Sequence, residues 1–179
     1  MCYNLRFVTN EKKTFYTGEE DSYLKNSKLN EENKAVYREE WKAIYWEYNE
    51  QTIELNFPKG TVVNALCSLD KKYVIVIYDR VGKNKNFPPP YNGVVYNADG
   101  SIYKILPSIT PEGENIISYD NVLLNKDIYV KDYMKNKFQF QTKIIISAIT
   151  KEMLLYDVIQ DFELNPTTGE MIFVMERRV

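Results

Sequence analysis

The only side chains in this 179-residue chain grouped closely enough to suggest acid–base chemistry are carboxylates: Glu19-Glu20-Asp21, Glu39-Glu40, and Asp157 with Asp161. Two acids held at a fixed separation can cleave a glycosidic bond or grip a divalent cation. Clusters of this kind more often face water, and the first falls in a polar connection with nothing rigid to hold its members apart. The chain contains no histidine. That removes an imidazole base poised near neutral pH, any Ser-His or Cys-His pair, and histidine-ligated zinc or haem. A phosphate loop, a metal-ligand spacing and a nucleophile elbow are also missing from the sequence. The expectation is a protein that is not an enzyme and that uses no cofactor and no metal.

Binding chemistry is easier to find. Phe87 and Tyr91 bracket three consecutive prolines, and large rings on a stiff loop lose little entropy when they anchor an interface. Trp41 and Trp46, with Tyr37, Tyr45 and Tyr48, could stack on sugars or bases, but a run this aromatic is more often core. Asp70 and Asp99 sit beside tight reversals, where an aspartate commonly accepts hydrogen bonds from its own turn. Cys2 and Cys67 match neither a disulfide framework nor a zinc site, and Cys67 reads as a small core residue.

Net charge is −2, which lacks the electropositive footprint of a protein that lives on nucleic acid. Residues 1–60 carry 11 acids and 9 bases, 61–107 carry 3 and 6, and 108–179 carry 11 and 8, so the middle is mildly basic and the flanks mildly acidic. The first residues lack the basic region and apolar run of a secretory signal. No apolar run approaches a membrane span, the longest being strand-sized near Lys143–Ile149. Cytoplasmic residence is the expectation.

The elements that must position these residues read as strands. With 44% hydrophobic and 14% aromatic residues the chain is rich enough to bury one sizeable core, so a single β-rich domain over residues 1–179 is expected. Residues 3–8 and 14–16 form strands around a polar turn, and 18–33 a polar connection that is the best candidate for a mobile segment. Residues 31–48 are ambiguous, since Tyr37, Trp41, Ile44 and Tyr48 make a helical stripe. A hairpin from about Trp41 to Phe57 is favoured, with a short helix over 31–39 ahead of it still open. Strands then cover 62–68 and 73–78, the second apolar on both faces as a central strand covered on two sides would be. Residues 82–91 make a long loop whose prolines favour an extended conformation, and Asp99-Gly100 closes another hairpin. A loop over 107–120 and strands at 128–133, 138–149, 152–158, 161–164 and 171–176 complete the chain. The architecture is mainly β: an antiparallel meander of ten or more short strands, sandwich-like or propeller-like, with at most one or two short helices.

The segments Ala43-Ile-Tyr-Trp-Glu-Tyr48, Thr52-Ile-Glu-Leu-Asn-Phe-Pro58, Ser68-Leu-Asp-Lys-Lys-Tyr-Val-Ile-Val-Ile-Tyr78, the proline-rich loop and Gly93-Val-Val-Tyr-Asn-Ala-Asp-Gly-Ser101 together resemble small bacterial proteins encoded beside polymorphic toxins. The resemblance covers roughly residues 41–107. Such proteins are immunity partners in contact-dependent growth inhibition and related systems. The resemblance implies a protein that binds one cognate toxin domain, a nuclease foremost, and occludes its active site. A nuclease groove must be electropositive, so an inhibitor could present carboxylates there in place of phosphates. The expected partner-binding residues are Glu19, Glu20 and Asp21 in the first loop, Phe87 and Tyr91 in the second, and Glu112 and Glu114 in the third. Direct nucleic-acid and membrane binding are not expected. The alternative is a non-catalytic β-scaffold or adaptor in a larger assembly.

Overall fold

The computed structural model describes residues 1–17, 22–30, 32, 41–125, 129–132, 137–140, 142–153 and 156–179. Glu19, Glu20, Asp21, Tyr37, Glu39 and Glu40 lie outside them, as does most of the segment considered for a helix over 31–39. The described chain is mainly β. Its strands are β1 (Tyr3–Thr9), β2 (Thr14–Tyr16), β3 (Trp41–Tyr48), β4 (Gln51–Asn56), β5 (Val62–Cys67), β6 (Tyr73–Tyr78), β7 (Gly93–Asn97), β8 (Ile102–Ile105), β9 (Ser118–Asn125), β10 (Tyr129–Asp132), β11 (Lys137–Phe140), β12 (Lys143–Glu152), β13 (Asp157–Leu164) and β14 (Met171–Arg178). One short helix, α1 (Ser22–Ser27), follows β2.

Three four-stranded antiparallel sheets carry the architecture: a first sheet in the order β2-β1-β3-β4, a middle sheet β5-β6-β7-β8, and a third sheet β14-β13-β12-β9. A two-stranded pair, β10-β11, stands apart from them. The middle sheet has both faces buried, and β6 shows why. Val74, Val76 and Tyr78 point into a core shared with Leu5, Phe7, Ile44 and Trp46 of the first sheet. Ile75 and Ile77 point the other way, into a core with Ile144, Ile146 and Phe162 of the third. Side chains alternate across a strand, so a run apolar at every position must be covered twice. The arrangement is sandwich-like with three layers.

Local chemistry sets the hairpins. Tyr48 pairs with Gln51, leaving a two-residue loop in which Asn49 and Glu50 both have positive φ, 48° and 64°. That combination matches the right-handed twist of the flanking strands. Gly100, at φ 89°, closes the β7–β8 turn, where an added Cβ would come within 2.7 Å of Ile53. Asp99 accepts from Ser101 N at 2.9 Å, and Asp70 from Ser68 Oγ at 2.6 Å and Lys72 N at 3.2 Å, each within its own reversal. In β3 a bulge lets Trp41 join Ile44 and Trp46 on the core face, and Phe7 stacks on Trp41 at 3.9 Å. Both tryptophans are core, as is Cys67.

Several expectations are corrected. The loop expected over 107–120 ends at Ile117, and β9 runs from Ser118 to Asn125, pairing with β12. Asp120 and Asn121 interrupt the apolar alternation there, at a bulge in the ladder, which hides the strand from the sequence. The reversal placed between 158 and 161 falls between β12 and β13 instead, and β13 is continuous from Asp157. The prolines do not run extended: Tyr91 N donates to Pro88 O at 2.9 Å and the chain turns there, with Pro89–Pro90 cis. Part of the connection after β2 is α1, and its Asn26 side chain takes the place of a neighbouring strand. Tyr16 N donates to Asn26 Oδ1, and Asn26 Nδ2 donates to Tyr16 O, both at 2.8 Å.

Candidate interaction surface

β8 is the outermost strand of the middle sheet, four residues long and mostly exposed. Ile102 pairs with Tyr96 and Ile105 with Val94. Tyr96 and Val94 share the face that packs on the first sheet. Ile102 and Ile105 therefore continue that apolar face outward, past the edge of its cover. Ile105, Leu106, Pro107, Ser108 and Ile109 join Tyr91 around an open groove of about 410 Å³. Tyr91, Ile105 and Ile109 are 49%, 43% and 52% exposed, so three large apolar side chains meet water around one depression. Scattered exposed apolar residues are ordinary, whereas a contiguous set such as this is a candidate interaction surface.

The groove is braced from below. The 107–117 segment folds into a small hairpin: Ile109 bridges Asn115, Thr110 N donates to Glu114 O at 2.8 Å, and Ile116 N to Ser108 O at 2.8 Å. Glu114 pins this hairpin to the third sheet, accepting from Gln160 Nε2 at 2.8 Å with Lys151 Nζ at 3.8 Å. Glu112 stands exposed at its tip. Of the expected site residues, the structure thus brings Tyr91 and the 107–117 loop together around one groove. Phe87 is placed differently: half-buried, it stacks on Tyr78 with ring centroids 5.1 Å apart and packs against the first core. Its ring steadies the loop that presents Tyr91. Ile102, Ile105 and Ile109 were not singled out in the sequence, because an exposed face on β8 follows only from sheet order.

Of the acids that could suggest catalysis, the two among the described residues, Asp157 and Asp161, are engaged in ion pairs. Asp157 accepts from Arg80 at 2.7 Å; Asp161 accepts from Ser147 Oγ at 2.6 Å and from Arg177 Nε at 3.1 Å. A second hollow, of about 330 Å³, opens beside Ser68, Asp70, Lys143 and Glu163. Its Glu163 is ion-paired with Lys143. Burial pushes Asp70 up, but hydrogen bonds from Ser68 and Lys72 outweigh it and hold the carboxyl below its ordinary value. Asp99 is likewise held low, first by the Ser101 hydroxyl. Low carboxyl values favour a permanent charge over proton transfer near neutral pH. Among the described residues no three His, Cys, Asp or Glu side chains gather as metal ligands, and no helix is long and apolar enough to cross a membrane.

No family model matches the chain, and neither a curated protein nor a solved structure is significantly similar to it.

Proposed function

We propose that this protein is a non-catalytic inhibitor of the immunity type, which binds one cognate bacterial toxin domain, a nuclease foremost, and covers its active site. The observation that carries this reading is the groove at the β8 edge, where Tyr91, Ile105 and Ile109 are exposed together, with Glu112 exposed at the tip of the hairpin that carries Ile109. Aromatic and aliphatic anchors in a depression, with a charged rim, are what a hot-spot interface needs. Glu112 supplies a carboxylate to an electropositive, phosphate-binding partner, and the Glu19-Glu20-Asp21 segment is proposed to supply more. Phe87 contributes from behind, by fixing the loop. The resemblance over residues 41–107 supplies the partner class.

The test is co-expression with the product of the gene immediately upstream. The proposal predicts that the two proteins co-purify and that cells expressing the upstream product survive only with this protein present. Survival unchanged by this protein, together with no co-purification, contradicts it.

A further inference from the structure

β14 is an outermost strand of the third sheet, eight residues long, and its centre is bare. Ile172, Phe173, Val174 and Met175 are all exposed, Ile172 by 56% and Met175 by 48%. An edge strand presents unpaired backbone donors and acceptors, and natural sheets guard such edges with lysine, proline or brevity. β14 has none of these along Ile172–Met175. The opposite outer sheet shows the contrast: its edge strand β4 exposes Thr52, Glu54 and Asn56.

The ladder with β13 fixes which β14 side chains share a face. Ile172 pairs with Glu163, Met175 with Asp161 and Arg177 with Ile159, while Asn165 N donates to Glu170 O at 2.9 Å. Positions 165, 163, 161 and 159 alternate onto one face, so Glu170, Ile172, Met175 and Arg177 do too, with the extra residue absorbed by a bulge at Val174. The stripe reads acid, apolar, apolar, base. Turned antiparallel on itself about a two-fold between residues 173 and 174, it sets Glu170 opposite Arg177 of the second copy and Ile172 opposite its Met175. Arg177 is held by Asp161 of β13 and reaches toward Ser147 of β12, so its guanidinium swings outward to meet Glu170 of the second copy.

We infer that β14 pairs with β14 of a second copy, joining two third sheets into one continuous eight-stranded antiparallel sheet across a two-fold axis. Cross-strand pairs of opposite charge and of apolar side chains are the contacts that stabilise such a ladder, and a two-fold interface is self-complementary by construction. One strand pair covers less than the ~1,600 Å² of a standard stable interface, so the dimer is expected to form reversibly.

Sedimentation equilibrium over a wide concentration range tests this. The expected result is a mass that rises from monomer toward dimer, with association weakened at least tenfold in Ile172→Lys/Met175→Lys and in Glu170→Lys, each retaining the parent circular dichroism spectrum. Cys2 and Cys67 are buried, so the double variant Ile172→Cys/Met175→Cys adds the accessible thiols. On oxidation it should give an inter-chain 172–175 disulfide by peptide mapping, whereas Thr52→Cys on β4 should give no inter-chain disulfide. A monomer mass at every concentration overturns the inference, as does a dimer that persists at full strength in the lysine variants or cross-links in another register.

Discussion

The two seams that flank the middle sheet are built from different chemistry. The seam between the first and middle sheets is lined with aromatic rings: Phe7 stacks on Trp41 within the first sheet, the hydroxyls of Tyr78 and Tyr96 share a 2.7 Å hydrogen bond within the middle sheet, and Trp46 crosses between them, donating to Ala98 O at 2.6 Å. Between the middle and third sheets it is largely aliphatic, and two asparagines stitch it. Asn92 Nδ2 donates to Tyr78 O at 2.9 Å and Tyr119 O at 2.8 Å, while Tyr119 N donates to Asn92 Oδ1 at 2.8 Å. Asn64 does the same further along, donating to Asn121 Oδ1 at 2.9 Å and Val122 O at 2.8 Å. An aromatic seam gains specificity from ring geometry and from polar tips that need partners. Branched aliphatic side chains fit many registers, so the second seam takes its register from side-chain amides that bond one backbone arrangement.

The largest test removes a ring. Trp46→Ala deletes the largest fully buried side chain and leaves Ala98 O without its donor, so urea unfolding should show a loss of about 4 kcal/mol. A loss below about 2 kcal/mol would mean that the aromatic seam is not close-packed. Next is the stitch. Asn92→Ala abandons three buried backbone groups, and about 3 kcal/mol should be lost. Asn64→Ala, at a part-buried site, should cost less than half as much; equal costs would break the proposed division of roles.

Gly93 is a close backbone approach on the aliphatic side. Its absent Cβ would lie 2.8 Å from Leu106 and 2.9 Å from Tyr119, so Gly93→Ala should destabilise by about 2 kcal/mol through overpacking, read from the same titrations.

Alkali probes both seams through tyrosine. Burial pushes the phenols of Tyr78, Tyr96 and Tyr119 above their ordinary value, Tyr78 further because it faces Tyr96. Because the folded-state values exceed that of an unfolded chain, their contribution is fully present below pH ~10 and is lost as pH rises beyond it. Each phenol costs up to ~1.4 kcal/mol per pH unit in that range. The urea midpoint should hold steady from pH 7 to 9 and fall between 10 and 11, with these phenols absorbing at 295 nm only on unfolding. Replacing Tyr78 with Phe should flatten that fall.

Much of this was legible in the sequence. β6 announced a doubly covered strand because Val74 to Tyr78 is apolar at every position, and Asp99-Gly100 and Asp70 wrote their own reversals. The β3–β4 hairpin was readable because Ile53 and Leu55 alternate with polar partners on an outer strand. β9 was not, because Asp120 and Asn121 break its pattern at a bulge, its ladder partner β12 is distant in sequence, and Tyr119 and Val122 are buried against the middle sheet. The groove was half legible. Tyr91 and the 107–117 loop stood out as loop features, but Ile105 and Ile109 gain meaning only when sheet order leaves β8 at an edge. The packing of Phe87 was not legible for the same reason, since its partner Tyr78 lies in another element.

The central claim is that the β8 groove binds a partner and contributes little to folding. The most direct measurement is the affinity of Tyr91→Ala/Ile109→Ala for the upstream-encoded protein, by calorimetry, beside its unfolding midpoint. Binding should weaken at least tenfold, about 1.4 kcal/mol or more, with stability within about 0.5 kcal/mol of the parent. Unchanged affinity in the folded variant would contradict it.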